Sequence, residues 1–250
     1  MSFLHVWRYN LSLMLWPILT ACAVPTIGAL ITYGLISPRS QVYGKTIWHG
    51  PVGSSAVALT FDDGPTPGGT DAILDILRRA NIPATFFVIG ENAERHPDLL
   101  RRIRDEGHII ANHTWHHHHH AWLGSRKYWC DEILRTDDLI EKIVGIRPLF
   151  FRPPIGIKTP LTLSVAHQSH HQTITWSIRA RDGIPTTPEN ILARFTNIQA
   201  GDIAILHDGT SPQFQRNSAA TIAALPKLLE FLKQKHLQPV RLDELIDKDL

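Results

Sequence analysis

Short apolar segments alternate with helix-forming segments from residue 56 onward, and this alternation restricts the fold more than any other feature of the chain. The first apolar segment covers residues 56–61, and a helical pattern follows over residues 70–80, with Ile73, Leu74 and Leu77 on one face. Strands that alternate with helices over short connections build a mainly parallel sheet or barrel. The sequence therefore predicts an α/β fold.

The same alternation continues to the C-terminus. Further strands are predicted at residues 83–89, 108–111, 149–151, 173–178 and 202–206, with a last one beginning at Val240. Helices are predicted at residues 97–106, 126–144, 188–199 and 219–235, and Thr70 is expected to cap the first helix. In folds of this kind, functional groups gather at the carboxyl ends of the strands, so the strand ends are where chemistry is expected.

An uncharged segment precedes this pattern. Residues 11–36 contain no charged side chain, and 26 residues are enough to cross a bilayer as a helix. We predict an N-terminal tail at residues 1–10, a single-pass membrane anchor at 11–36, a linker at 37–55 and one domain at 56–250. A cleaved signal sequence and a lipoprotein attached through Cys22 are the alternatives.

The composition excludes several classes of protein. The formal net charge of +2 gives no clustered basic footprint, so nucleic acid is not an expected partner. Two cysteines are too few for a disulfide-rich scaffold or a cysteine-based zinc module. Histidine is the unusual residue, since six of the 15 fall between positions 113 and 120.

Two strand ends carry residues that suit a metal site. Asp62 and Asp63 follow the first strand, and two adjacent carboxylates repel each other unless a cation separates their roles. Taken alone, Asp-Asp-Gly-Pro is equally good turn chemistry, so a simple turn is the alternative. His113 and His117 follow the third strand at a spacing of four, which one helical turn would place on the same side. Two histidines and a carboxylate are a frequent catalytic zinc set. His116, at a spacing of three from His113, would also reach the metal. For the histidine tract at residues 116–120, a solvated loop remains the alternative.

Two other strand ends carry residues that suit proton transfer. His207 ends an apolar strand, and an imidazole has an ordinary pKa near neutrality, so it can act as a general acid. Arg152 lies at a strand end among apolar residues, and an arginine there is costly to bury unpaired, so we expect it to hold a carboxylate such as that of Asp62. A hydrogen-bonded core histidine and a surface arginine are the alternatives.

These residues lie in five motifs that resemble those of the polysaccharide deacetylases of the NodB-homology type, carbohydrate esterase family 4. Residues 60–65 read TFDDGP, residues 113–117 fit H-[ST]-x-x-H, residues 152–156 resemble RPPYG, residues 179–183 stand where the family has DxxDW, and residues 205–207 resemble L-x-H. The resemblance covers the chain from about residue 56 to the C-terminus. It implies an irregular (β/α) barrel.

The resemblance also implies roles. Asp62 would be the catalytic base, Arg152 would tether it, and Asp63, His113 and His117 would bind the metal, with zinc expected and cobalt as the alternative. The acid would be His207, oriented by Asp182, and the backbone N–H of Ile155 would contact the oxyanion. Three positions depart from the family pattern, namely Ile155, Arg179 and Gly183.

The expected activity is metal-dependent removal of N-acetyl groups from a glycan that contains N-acetylglucosamine, such as peptidoglycan or a chito-oligosaccharide. The family usually acts on extracytoplasmic glycans, so the catalytic domain is expected outside the cytoplasm. An O-acetyl esterase and an inactive, membrane-anchored glycan-binding homologue are the alternatives. A metal-storage role ranks last, because no carboxylate accompanies residues 118–120 in the sequence.

Overall fold

A computed structural model describes residue 21 and residues 23–51, 53, 55–210 and 218–246. In this part of the chain, eight strands form one sheet, and every strand pairing in it is parallel. The strands are β1 (Ala56–Asp62), β2 (Thr85–Val88), β3 (Ile109–Asn112), β4 (Phe150–Phe151), β5 (Gln172–Thr173), β6 (Ile178–Arg179), β7 (Ile203–His207) and β8 (Gln238–Val240).

Helices occupy most of the connections between the strands. They are α1 (residues 23–36), α2 (Thr70–Ala80), α3 (Gly90–Arg95), α4 (Pro97–Asp105), α5 (Arg126–Val144), α6 (Pro160–Gln168), α7 (Pro188–Arg194), α8 (Ala219–Gln234) and α9 (Leu242–Ile246). Among the described residues, short 3-10 turns also lie at Ala121–Leu123 and Pro154–Gly156. The predicted α/β fold with a mainly parallel sheet is therefore confirmed.

The sheet forms an open barrel. Its strand order is β5-β4-β3-β2-β1-β7-β6, with β8 beside β1, so β5 and β6 lie at opposite ends of the sheet. The single strand predicted at residues 173–178 is divided into these two short strands. Near this opening, Ile47 forms a bridge with Ile174 and His49 forms one with Asp202.

Alternation along β1 separates the core from the site. Val57, Leu59 and Phe61 belong to the large apolar cluster formed with the surrounding helices. Successive side chains of a strand point to opposite faces, so Thr60 and Asp62 face the interior of the open barrel instead. Asp62 is the last residue of β1, and the strand therefore delivers a buried carboxylate to its own carboxyl end.

Helix α2 starts differently from the prediction. Its N-cap residue is Gly69, and Thr70 is the first residue of the helix. The Thr70 hydroxyl accepts a hydrogen bond from the N–H of Thr66 and donates one to Asp208 Oδ2. The predicted Thr70 cap is wrong because this hydroxyl is committed to the loops that follow β1 and β7.

Only the second half of the predicted membrane anchor can be described. Residues 1–20 and Cys22 lie outside the described residues, and residues 23–36 form α1. No helix among the residues that the structure describes is long and apolar enough to span a bilayer. Residues 37–50, predicted as a linker, contact the domain: the carbonyl of Ser37 accepts from Lys158 Nζ, and that of Pro38 accepts from Thr175 Oγ1.

Candidate active site

Three side chains from two strand ends converge at the carboxyl edge of the sheet. Asp63 Oδ1 lies 3.4 Å from His117 Nε2 and 3.6 Å from His113 Nε2. The two imidazole rings have centroids 4.7 Å apart, and all three residues are buried. The structure therefore brings together the three residues that were expected to share a cation.

The backbone after β1 turns sharply to present Asp63. This residue has a φ of 75°, in the left-handed region that aspartate tolerates better than most residues. Asn92 Nδ2 donates to the carbonyl of Asp63 at 2.8 Å. A Cβ at Gly209 would lie 2.4 Å from the same carbonyl oxygen, so only glycine fits against this turn.

His113 is held with one ring nitrogen available. His113 directly follows β3, and its backbone N–H donates to the carbonyl of Val88. Its ring nitrogen Nδ1 lies 2.7 Å from the carbonyl oxygen of Arg152. A carbonyl only accepts, so Nδ1 carries the proton and Nε2 keeps its lone pair. Burial and the neighbouring His117 hold the pKa of His113 well below its ordinary value, so the ring is neutral, as a metal ligand must be.

His117 reaches the site from a loop, and the predicted helical turn over residues 113–117 is wrong. Thr114 and His117 have φ angles of 69° and 54°, and no helix covers these residues. Glu132 of α5 accepts the N–H groups of Trp115 and His116 on one carboxylate oxygen, at 3.0 and 2.9 Å. These bonds turn the His116 ring toward Glu132 and the His117 ring toward Asp63, which separates the two candidates for the second histidine ligand.

The donor set fits a divalent cation of intermediate softness. One carboxylate oxygen and two imidazole nitrogens lie within 4.8 Å of one another on buried side chains. Two histidines and a carboxylate are a set that catalytic zinc sites use, with a fourth position left for water or substrate. Asp63, His113 and His117 could therefore hold Zn²⁺ or a similar ion.

Asp62 lies beside this set and is held by Arg152. Its Oδ1 accepts from Arg152 Nη1 at 2.5 Å, and its Oδ2 lies 3.5 Å from His113 Nε2. The guanidinium also donates to Thr60 Oγ1 and to the carbonyl of Thr175. Burial raises the pKa of Asp62, and Arg152 lowers it, with a net value of about 6. The carboxylate is therefore mostly ionised at neutral pH and can accept a proton.

Replacing Arg152 with Met would leave the Asp62 carboxylate buried without its cation. We expect the free energy of unfolding of the metal-free protein to fall by about 3–5 kcal/mol, measured by urea denaturation. Arg101→Met breaks an exposed ion pair with Asp98 and serves as the matched control, with an expected loss below about 1 kcal/mol. Equal losses in the two variants would contradict this account of Arg152.

On the adjacent strand, β7, His207 is paired with a second carboxylate. Its Nδ1 lies 2.7 Å from Asp182 Oδ1, while Asp182 Oδ2 accepts the N–H of His207 and the hydroxyl of Thr221. Burial lowers the pKa of His207, but the charge and hydrogen bond of Asp182 outweigh burial and raise it to about 9. The imidazole is therefore protonated at neutral pH and can donate a proton.

We expect Asp182→Asn to move the alkaline limb of the pH profile of kcat/KM to lower pH. Without the negative charge the imidazolium is less stable, so the pKa of His207 falls and the acid form is lost earlier as pH rises. Thr221→Val keeps the carboxylate and should move the limb much less. An unchanged alkaline limb in Asp182→Asn would show that His207 is not the acid whose titration sets this limb.

The three positions that depart from the family pattern lie around this site. Ile155 is 40% exposed and has a φ of 49° within the short turn Pro154–Gly156. Arg179 is exposed on β6, with its guanidinium 5.7 Å from the Trp176 ring centroid, and Gly183 is buried next to Asp182. The contact of Ile155 with an oxyanion stays a prediction.

Sequence reasoning missed three residues that shape the site: Asn92, Glu132 and Asp208. Asp208 is buried against the loop after β1, and its N–H donates to the carbonyl of Asp62. Burial raises the pKa of its carboxyl to about 7. Its place directly after His207 was a usable signal, whereas nothing in the sequence ties Asn92 or Glu132 to the strand ends.

Comparison with known proteins decides the family. A family model described as polysaccharide deacetylase matches residues 49–174. The chain belongs to this family. The resemblance inferred from the five motifs is thereby confirmed. The match begins at residue 49, before the first strand and within the segment predicted as a linker.

Two named relatives align with this chain along most of their own length. A peptidoglycan-N-acetylglucosamine deacetylase of Bacillus cereus is 37% identical over 215 residues, covering 85% of this chain and 98% of the relative. A chitooligosaccharide deacetylase of Sinorhizobium fredii is 34% identical over 205 residues, covering 77% and 93%.

A solved structure of a family member has the same fold. The Bc1960 peptidoglycan N-acetylglucosamine deacetylase, in complex with 4-naphthalen-1-yl-N-oxidanyl-benzamide, superposes with a TM-score of 0.74 at 31% identity, covering 80% of this chain and 92% of that chain. A carbohydrate esterase family 4 pseudoenzyme of Bacillus anthracis, BA3943, has a TM-score of 0.72 at 24% identity, which is a likeness of fold alone.

Proposed function

We propose that this polysaccharide deacetylase is a metal-dependent hydrolase that removes N-acetyl groups from a glycan containing N-acetylglucosamine. The observation that carries the proposal is the convergence of Asp63, His113 and His117 between an ionised carboxylate, Asp62, and a protonated imidazole, His207. Named relatives that are peptidoglycan and chitooligosaccharide deacetylases support the substrate class.

Asp63, His113 and His117 would hold the divalent ion, for which we propose zinc, with cobalt as a functional substitute. Such an ion, when bound, polarises an acyl carbonyl and lowers the pKa of water. Asp62, fixed by Arg152, takes the proton from the attacking water. The backbone N–H of Ile155 faces the developing oxyanion.

His207 completes the reaction at the leaving group. An amide anion is a very poor leaving group, so the nitrogen must be protonated as the C–N bond breaks. His207 donates that proton, and Asp182 keeps the imidazole protonated and oriented. Residues Asp62 and His207 are paired neighbours on β1 and β7, so the base and the acid act from adjacent strands.

Product analysis tests the proposal. The full-length protein, loaded with Zn²⁺, would be incubated with chitopentaose, peptidoglycan fragments and O-acetylated xylan, and free amine and acetate would be quantified. We expect equal amounts of amine and acetate from the N-acetylated substrates. Release of acetate from xylan alone would make the protein an O-acetyl esterase, and the absence of any release would favour a glycan-binding homologue.

We also propose that the uncharged segment at residues 11–36 anchors the protein in a membrane, with the catalytic domain outside the cytoplasm. The apolar side chains that α1 exposes support this, among them Val24, Ile27 and Leu30. Fractionation of expressing cells should place the full-length protein in a carbonate-resistant membrane pellet. A shortened soluble product would indicate cleavage, and loss of membrane association in Cys22→Ser would indicate a lipoprotein.

A further inference from the structure

The histidine tract carries a second cluster of metal-ligating side chains, outside the one formed by Asp63, His113 and His117. The cluster consists of His116, His118 and Glu132, whose ligand atoms lie within 4.8 Å of one another. The carboxylate that the tract lacks in sequence is supplied by α5, from a residue that is 16 positions away from His116 along the chain.

Hydrogen bonds hold the carboxylate of Glu132 in one orientation. It is buried, and one of its carboxylate oxygens is committed to the backbone N–H groups of Trp115 and His116. Its other oxygen, Oε1, lies 2.6 Å from His116 Nδ1. The carboxylate is thus fixed by the loop and presents a single oxygen toward the tract.

The two imidazoles lie next to each other at the surface. The rings of His116 and His118 stack nearly parallel, 3° apart in orientation, with centroids separated by 5.0 Å. Tyr128 closes one side, its hydroxyl 3.3 Å from His118 Nδ1. Zinc ligands lie about 2.0–2.2 Å from the ion, so a shared ion requires the donors to come within roughly 3–3.5 Å of one another. The exposed His118 ring can turn to meet this requirement, since surface side chains change rotamer within nanoseconds.

We propose that His116, His118 and Glu132 form a second site for a late transition-metal dication such as Zn²⁺, weaker than the first and open to solvent. Two of the three donors are imidazoles, which suit zinc, copper and nickel, whereas magnesium and calcium prefer ligand sets made of oxygen atoms. The second site adjoins the first along the chain, because His116 and His117 are consecutive and turn to opposite sides of one loop.

Metal stoichiometry tests the second site. The full-length protein would be stripped with a chelator, and Zn²⁺ would be titrated in competition with a chromophoric chelator. We expect the parent protein to bind two equivalents of Zn²⁺ and His118→Asn to bind one. In His118→Asn the affinity for the second ion should fall by at least about tenfold, because changes to residues that only support a metal ligand already cost about that much. His120→Asn changes another exposed histidine of the tract and should still bind two.

A variant of the first site makes the two proposals separable. His113→Asn should bind one equivalent, and the double variant His113→Asn with His118→Asn should bind none. The second site is refuted if the parent binds a single equivalent, if His118→Asn keeps both, or if His120→Asn loses the second as well. Failure of His113→Asn to lose an equivalent would instead count against the first site. Circular dichroism and thermal melting check that each variant is folded. If His113→Asn does not fold, the variants at the exposed positions 118 and 120 still test the second site.

Discussion

Asp62→Asn should lower kcat for deacetylation by about 10²–10⁴-fold, the range that a positioned general base contributes. The amide oxygen of asparagine cannot take the proton from the attacking water. The three proposed ligands are untouched, so the Zn²⁺ content of the variant should equal that of the parent. Chito-oligosaccharide turnover and metal analysis on the same preparation provide the two measurements.

Asp98→Asn is the matched control for this substitution, since Asp98 is an exposed carboxylate in an ion pair with Arg101 on α4. Its turnover should equal that of the parent. Turnover of Asp62→Asn at the parent rate would remove Asp62 from the mechanism. A parallel loss of bound metal would show that Asp62 belongs to the ligand set.

His113→Asn should abolish activity at stoichiometric Zn²⁺ and weaken binding of the first ion by more than about 100-fold. Changes to residues behind a metal ligand already cost about 10- to 100-fold, and this substitution removes a ligand itself. The imidazole is replaced by a shorter amide on a buried side chain that the carbonyl of Arg152 orients. Competition titration gives the affinity, and amine release gives the activity.

His236→Asn alters an exposed histidine after α8 and should leave both quantities unchanged. Partial recovery of His113→Asn at high Zn²⁺ concentration would be expected, because the defect is one of affinity. Full activity of His113→Asn at stoichiometric metal would contradict the proposed ligand set.

Much of the architecture could be predicted because it depends on local patterns. The continuous apolar segment of β1 and the apolar face of α2 are properties of short segments, and the carboxyl ends of parallel strands necessarily meet at one edge. That rule places Asp62, His113 and His207 together without any knowledge of the loops. Strands as short as β5 and β6 have no such pattern, so one strand was predicted where two occur.

The loop between His113 and His117 could not be predicted because its shape comes from a distant partner. A spacing of four indicates a helical turn only when the backbone is helical, and here Thr114 and His117 have positive φ angles. Glu132 fixes this loop from another helix through the N–H groups of residues 115 and 116. Pairing of that kind across the chain leaves no periodic signal in one sequence.

Reconstitution of the metal-free protein is the most direct test of the central claim, that Asp63, His113 and His117 share an ion required for hydrolysis. The chelated full-length protein should release no amine from chitopentaose. Activity should rise with added Zn²⁺ and reach its plateau at the first equivalent. Undiminished activity after complete removal of metal would contradict the claim. Activity that is still far below its plateau when one equivalent of Zn²⁺ has been added would contradict it as well.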